Sequence, residues 1–170
     1  MLPRVLKDFT LFVDGLGYAG LVEEVTLPKL TRQMEDHQAG GMLGPVKLDL
    51  GMDAMTLECT IAEFNPEILK LWGNANASGI NARFLGAITS QDGGGTDAIE
   101  ISVRGRFEEI DPGTAKKKET GKLKIKMPLT YYRYSHNGVV LIEIDLISGK
   151  ESVGGTDLSA AVMKALGITV

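Results

Sequence analysis

The chain has 170 residues, of which 44% are hydrophobic and 24% charged, and its formal net charge is −4. This length suits a single domain over residues 1–170 with one sizeable core, and the ordinary composition argues against wholesale disorder. The negative charge argues against a dedicated nucleic-acid-binding protein, and no apolar run reaches the roughly 18 residues that a membrane-spanning helix needs.

The first motif, VDGLGYAG at residues 13–20, has the GxGxxG spacing of a dinucleotide-binding loop. Such a loop leads into a helix, whereas β-branched residues and Pro28 follow here, which favour a strand and would interrupt a helix. An alternating run precedes the motif, and Asp14–Gly15 suits a hairpin turn. We therefore predict a β-hairpin and no nucleotide cofactor.

Residues 31–45, TRQMEDHQAGGMLGP, show no helix or strand periodicity and are predicted to form a long loop. The apolar residues that follow alternate at Met55, Leu57, Cys59 and Ile61, which predicts a strand with one buried face. Cys59 is the only cysteine, so an intramolecular disulfide is impossible. We predict an unreactive buried thiol there, because free cysteines are usually buried.

Two short helices are predicted. The first begins after Asn65 as N-cap and ends at Gly73, and its apolar side consists of Ile68, Leu69 and Trp72. The second begins after Asp157 as N-cap and ends at Gly167. Its apolar residues at helical spacing are Leu158, Ala161, Val162, Ala165 and Leu166. Both apolar stripes are predicted to contact the core.

The second half of the chain is predicted to be mostly strands. Period-two alternation places Ile99, Ile101, Val103 and Phe107 on one face. The next alternating run places Leu123, Ile125, Met127, Leu129 and Tyr131 on one face. Residues 90–97 are predicted to be a turn, and Asn137–Gly138 predicts a hairpin into residues 139–147. That last run, VVLIEIDLI, is apolar enough to predict a strand covered on both faces.

Residues suited to catalysis are few. His37 and His136 are the only histidines, and neither has a metal-ligand spacing. Glu108, Glu109 and Asp111 offer the paired carboxylates of a glycosidase, but exposed aromatic residues to stack sugars are lacking. We predict no catalytic residue, no metal and no cofactor.

Several strands with polar outer faces leave sheet edges that invite pairing with another chain. Copies of a small chain remove such edges by joining into a closed ring. The two long loops, residues 31–45 and 111–121, are the predicted contacts between subunits. The candidate contact residues are Met34, Glu35, His37, Gly40, Gly41, Met42, Lys116, Lys117 and Lys118.

Several segments of the chain match segments of a known protein family, in the same order and along nearly the whole length. They are LFVDG and YAG in residues 11–20, VTLPKL (25–30), AGGM (39–42), DLGMDAM (49–55), RGRFEEIDPG (104–113), YYRY (131–134), EIDLISG (143–149) and GGTDL (154–158). On these segments the chain resembles the major tail tube proteins of contractile-tailed phages, which are related to the tube proteins of R-type bacteriocins.

The resemblance implies a mainly β fold, a β-sandwich or barrel-like subunit with flanking helix. It implies hexameric rings whose strands join into one barrel, stacked into the inner tube of a virion tail that is assembled in the host cytoplasm. The implied partners are a sheath protein, a tape-measure protein and a baseplate. DNA would pass through the tube of a phage without specific binding.

A conduit for a polyanion suits a lumen of negative or balanced charge. The candidate lumen-lining residues are Asp49, Glu58, Glu63 and Glu100. Lys122, Lys124 and Lys126 either pair across strands with Glu100 and Glu108 or face the sheath. Two alternative functions stay open: a hexameric tube protein of a type VI secretion system, and a β-sandwich module that binds a carbohydrate or peptide.

Overall fold

The computed structural model describes residues 1–168, which form thirteen strands and two α-helices. The strands are β1 (Val5–Val13), β2 (Leu16–Gly17), β3 (Val22–Thr26), β4 (Arg32–His37), β5 (Val46–Met52), β6 (Met55–Ile61), β7 (Ile80–Thr89), β8 (Thr96–Gly105), β9 (Glu109–Asp111), β10 (Leu123–His136), β11 (Val139–Asp145), β12 (Lys150–Val153) and β13 (Thr156–Asp157). The helices are α1 (Pro66–Lys70), which continues into a 3₁₀ turn at Leu71–Gly73, and α2 (Ala160–Ala165). In this part of the chain, neither helix is long and apolar enough to cross a membrane.

Strand β10 belongs to two sheets. Its first half pairs with β6 and β9, and β3 extends this small sheet beyond β6. Its second half pairs with β8 and β11 inside a large sheet with the order β13-β12-β11-β10-β8-β7-β1-β2. The two sheets share one core, so the predicted mainly β, sandwich-like fold is confirmed.

The core consists of the inward faces of both sheets, as the alternating sequence predicts. All four predicted residues of β6 are buried, and so are Leu123, Ile125, Met127 and Leu129 of β10. Ile101 and Val103 of β8 are buried with them, while Ile99 and Phe107 pack against the core and are partly buried.

Both predicted hairpin turns are confirmed. Asp14 and Gly15 have φ of 53° and 84°, and β1 pairs with β2 across them. Asn137 and Gly138 have φ of 49° and 80° between β10 and β11. A turn with positive φ at both central positions matches the twist of the strands that it joins. The GxGxxG spacing therefore belongs to a hairpin.

The prediction for Tyr131 is wrong. The register between β10 and β8 shifts between Leu129 and Tyr131, so the alternation of β10 changes phase there. Tyr132 is buried in place of Tyr131, and Tyr131 lies on the outer face against Arg104.

Helix α1 begins as predicted, because the Asn65 side chain accepts hydrogen bonds from the backbone N–H groups of Glu67 and Ile68. Ile68 is buried, whereas Leu69 and Trp72 are exposed, so the predicted apolar side is only partly correct. The helix is too short to turn three apolar residues towards the core, since it passes into the 3₁₀ turn after Lys70.

Helix α2 is present, but its predicted core contacts are wrong. Its N-cap is Ser159, and Asp157 accepts hydrogen bonds from the backbone and hydroxyl of that serine. No residue of the helix is buried, and Val162 is 62% exposed. The helix follows β13, at the edge of the large sheet, where its apolar stripe has no second layer to cover it.

Two further predictions are corrected. Residues 31–45 are not a loop throughout, since β4 pairs with β5 in a two-stranded hairpin whose turn spans residues 38–45. This hairpin is largely exposed on both faces, so burial imposes no alternation on β4. Residues 139–147 are not covered on both faces within one chain, because Ile144 is buried while Val139 and Ile147 are exposed.

Candidate functional site: assembly surfaces

The only thiol of the chain lies in the core. Cys59 is buried among β6 and its neighbours, and burial raises its pKa to about 12. A thiol with this pKa is protonated at neutral pH and is a poor nucleophile. The predicted burial of this thiol is therefore confirmed. Within residues 1–168, no group of three or more ligating side chains is placed to hold a metal ion.

The outer face of the small sheet carries two polar rows, and we call it the small-sheet face. Read across β3, β6, β10 and β9, the rows are Thr26, Glu58, Lys126 and Glu109, and Glu24, Thr60, Lys124 and Asp111. None of these side chains is buried, and most of them line a groove of about 350 Å³. Their order follows from the register, which places each lysine beside a carboxylate of β9.

The small-sheet face has four carboxylates and two ammonium groups, which gives a net charge of −2. Cross-strand neighbours of opposite charge attract each other and contribute modestly to the stability of the sheet. Lys126 also lies 3.9 Å from Glu108, as predicted, and Lys122 lies 2.9 Å from Glu23. Glu100 pairs with arginines instead of the predicted lysines.

The small sheet ends in two short strands with free edges. Among the described residues, β3 pairs only with β6, and β9 pairs only with β10. Their outer backbone N–H and C=O groups are therefore available to another strand.

The outer face of the large sheet carries three arginines, and we call it the arginine face. Arg83 of β7 and Arg133 of β10 both flank Ser102 of β8, and Arg104 lies two residues further along β8. The Arg83 Nε donates to a Glu100 carboxylate oxygen over 3.1 Å, and the Arg133 Nη2 lies 4.0 Å from the same oxygen.

The arginines set the charge state of Glu100, the carboxylate that lies within ion-pair distance of two of them. The hydrogen bond from Arg83 holds the pKa of Glu100 below its ordinary value, against the opposing effect of burial. The Ser102 hydroxyl also donates to Glu100 and stabilises its charged form. Glu100 is thus ionised at neutral pH.

One face of the β4–β5 hairpin carries apolar residues of β5 beside Glu35 and His37 of β4. Val46 and Leu48 lie on the same face of β5, and both are exposed. Lys47 and Asp49 lie on the opposite face, and Lys47 pairs with Asp36 across the hairpin. At the base of the hairpin, Arg32 forms ion pairs with Asp49 and with Glu151 of β12. An isolated two-stranded hairpin is marginal in water, and among the described residues no third strand pairs with this one.

The candidate contact residues fall into two groups. Met34, Glu35 and His37 lie on β4, and Gly40, Gly41 and Met42 form the turn of the hairpin. Lys116, Lys117 and Lys118 are exposed in the loop between β9 and β10. Within residues 1–168, neither a strand pairing nor an ion pair joins the two groups.

The four candidate lumen residues lie on four different parts of the chain. Glu58 lies on the small-sheet face, Asp49 on the hairpin and Glu100 on the arginine face. Glu63 lies in the exposed segment between β6 and α1.

The arginine face and the uncovered apolar surface near the C-terminus were not predicted from the sequence. The alternation of Ile80, Ala82 and Phe84 was available to predict β7, and with it the outward direction of Arg83. The exposed positions of α2 carry no comparable signal, because an apolar stripe has the same pattern whether it contacts its own core or another subunit.

A sequence model of the family described as phage tail tube protein FII matches residues 3–167. The chain is 39% identical over 161 residues to the tail tube protein of Escherichia phage P2, with 92% of each chain covered. It is 38% identical over 168 residues to the major tail tube protein of Serratia phage KSP20, with 98% of each chain covered.

Two solved structures share the fold at low sequence identity. The sheath/tube terminator of the extracellular contractile injection system PVC, in the extended state, superposes with a TM-score of 0.60 at 9% identity. That match covers 79% of this chain and 98% of the other. The PVC sheath-tube complex in the extended state gives a TM-score of 0.57 at 10% identity, covering 78% and 91%.

Proposed function

Since the chain belongs to the phage tail tube protein FII family, we propose that six copies close into a ring and that these rings stack into the inner tube of a contractile tail. The chain is a structural component of the virion tail. Ring closure joins the free edge of β3 in one copy to the free edge of β9 in the next, and the small-sheet face lines the channel.

The number of strands supports this arrangement. Six copies of a four-stranded small sheet supply 24 strands. At about 4.8 Å per strand these give a barrel about 115 Å around and about 37 Å across before any tilt, and tilt widens it further. After side chains are added, the channel still admits a DNA duplex.

The charge of the small-sheet face is the observation that carries the proposal. Its net charge of −2 per copy becomes −12 in a ring of six. Each lysine lies in a row with two carboxylates, so the wall offers no continuous basic track to a phosphate backbone. A polyanion therefore passes along this wall without being held. Of the four candidate lumen residues, only Glu58 belongs to this wall.

Ring stacking uses the surfaces that one ring leaves uncovered. The β4–β5 hairpin, with the candidate contacts Met34 to Met42, places the face that carries Val46 and Leu48 against the next ring. The loop that carries Lys116, Lys117 and Lys118 contacts a neighbouring copy. Exposed apolar residues on the hairpin support this role, because burial in an assembly removes them from water.

A sheath, a tape-measure protein and a baseplate are the proposed partners, and the host cytoplasm is the proposed place of assembly. Tail tube proteins of two phages at 38–39% identity favour a phage tail over the type VI alternative. We assign the chain no catalytic activity, in keeping with the structural role of these relatives.

Hydrogen exchange tests the ring contact. We compare assembled particles with dispersed subunits separated by size, and follow the backbone amides of residues 22–26 and 109–111. Assembly should slow their exchange at least tenfold, because new interstrand hydrogen bonds form there. Residues 124–126 of β10 are the internal control, since they are already paired on both sides. Equal exchange of β3 and β9 in both states would refute this contact.

A further inference from the structure

We infer that the arginine face docks an acidic segment of the protein that encloses the tube. This inference rests on the proposed function, because a small-sheet face that lines the channel leaves the opposite side of the sandwich outside. The site is the shallow groove lined by Asn81, Arg83, Ser102, Arg104, Tyr131 and Arg133.

Two of the three arginines lie against an aromatic ring that leaves part of the guanidinium free. The Arg104 Cζ lies 4.0 Å from the centre of the Tyr131 ring, and the Arg83 Cζ lies 5.9 Å from that of Phe12. Aromatic support restricts a guanidinium while its edge N–H groups remain directed outwards. A restricted guanidinium loses less freedom when it binds a carboxylate in the two-pronged geometry.

The three arginines have fewer carboxylate partners among the described residues than they need to be neutralised. One carboxylate, Glu100, serves both Arg83 and Arg133, and Arg104 forms no ion pair within residues 1–168. The Arg133 Nε is buried and has no hydrogen-bond acceptor among the described residues. Glu143 and Asp145 of β11 and Lys150 of β12 share this face, so four basic side chains and three carboxylates leave a charge of +1, opposite in sign to the small-sheet face.

The register sets the spacing that a ligand must match. Arg83 and Arg133 are two strands apart, which is about 9.6 Å, and Arg104 lies about 6.8 Å along β8 from the Ser102 between them. Carboxylates two to four residues apart in a protein segment reach these positions together.

An acidic protein segment fits this face better than a nucleic acid does. The basic area spans only three strands, whereas a phosphate backbone requires an extended basic track. The rest of the chain is acidic, with a net charge of −4 overall, and repels a long polyanion. A short acidic protein segment contacts only the groove and so avoids this repulsion.

Fluorescence anisotropy with a labelled hexaglutamate peptide tests the inference on the full chain at low salt. We compare the natural protein with Arg104→Gln, Arg133→Gln and the matched control Arg106→Gln. Arg106 donates to the Ala75 carbonyl oxygen and lies outside the groove, so its loss removes the same charge elsewhere. Thermal unfolding of each variant identifies any that fails to fold.

We expect each groove variant to weaken peptide binding at least fivefold, and the control to bind as the natural protein does. Absence of binding at low salt, or an equal loss in Arg106→Gln, would overturn the inference. Tighter binding of a single-stranded oligonucleotide of equal charge would also overturn it and point to nucleic acid. Electron micrographs of the same samples distinguish this inference from the proposed function. If the protein binds the peptide but forms no rings, only the proposed function is rejected.

Discussion

Ile68 is the buried residue through which α1 enters the core. Ile68→Ala should lower the free energy of unfolding by about 3 kcal/mol, because it removes buried methyl groups and leaves a cavity. Leu69→Ala is the matched control, since Leu69 is 44% exposed, and should cost less than about 1 kcal/mol in dispersed subunits. Urea denaturation measures both. Equal losses of unfolding free energy in the two variants would mean that Ile68 is not the residue of α1 that is buried in the core.

Cys59 gives a second prediction at the scale of a residue. Burial raises its pKa from 9.0 to about 12, so the thiolate fraction at pH 8 is about a thousandfold lower than that of a thiol with the ordinary value. Iodoacetamide should therefore label the native chain far more slowly than the urea-unfolded chain, as mass spectrometry will show. Rapid labelling of the native protein would contradict a buried thiol.

Gly105 matters at the scale of an element, since it ends β8 where β10 passes from the small sheet to the large one. A Cβ at this position would overlap the Pro128 carbonyl oxygen. Gly105→Ala should therefore destabilise the protein by about 3 kcal/mol, because neither backbone has room to shift.

The control for this variant is Gly44→Ala, whose Cβ would meet no atom within 4 Å. It should change stability by less than about 0.5 kcal/mol. Thermal unfolding compares the two variants, and a small loss at position 105 would argue against the close approach of β8 and β10.

The β4–β5 hairpin gives the other prediction at this scale. Leu48→Asp should leave single rings intact and abolish long tubes, because a carboxylate cannot be buried unpaired against the next ring. Lys47→Gln, on the opposite face of β5, should still form tubes. Negative-stain micrographs measure tube length. Normal tubes from Leu48→Asp would remove the hairpin from the stacking contact.

Elements with one buried face could be predicted from the sequence. The alternation in β6, β8 and the first half of β10 follows from burial in the same chain. The bulge at Thr130 was not predicted, because the apolar alternation of Leu123 to Leu129 continues to Tyr131 in the sequence and hides the register shift beside Gly105 and Pro128. The hairpin was missed for a different reason, namely that β4 has no buried face to impose a pattern.

The candidate site was only partly predictable, because it consists of outer surfaces whose proposed contacts lie between copies. The sequence shows that Glu58 and Glu100 are polar positions on strands. That they lie on opposite sides of the sandwich follows only from the arrangement of the two sheets. The apolar residues of 139–141 and α2 are a similar case. Their sequence pattern is that of a core, while in one chain they are exposed.

At the scale of the whole molecule, the chain leaves both strand edges and apolar side chains uncovered. The exposed apolar residues include Val5, Leu6, Val46, Leu48, Val139, Val140, Leu158, Val162 and Leu166. In the proposed assembly, contact with neighbouring copies removes this area from water, and each closed ring removes the free edges of β3 and β9. The two outer faces then differ in charge, negative towards the channel and positive towards the outside.

Cryo-electron microscopy of the purified full-length chain at high concentration tests the central claim most directly. The account predicts stacked six-fold rings in which Glu58 and Lys126 face the channel and Arg104 faces outwards. A protein that stays monomeric, or rings that direct Arg104 into the channel, would contradict it.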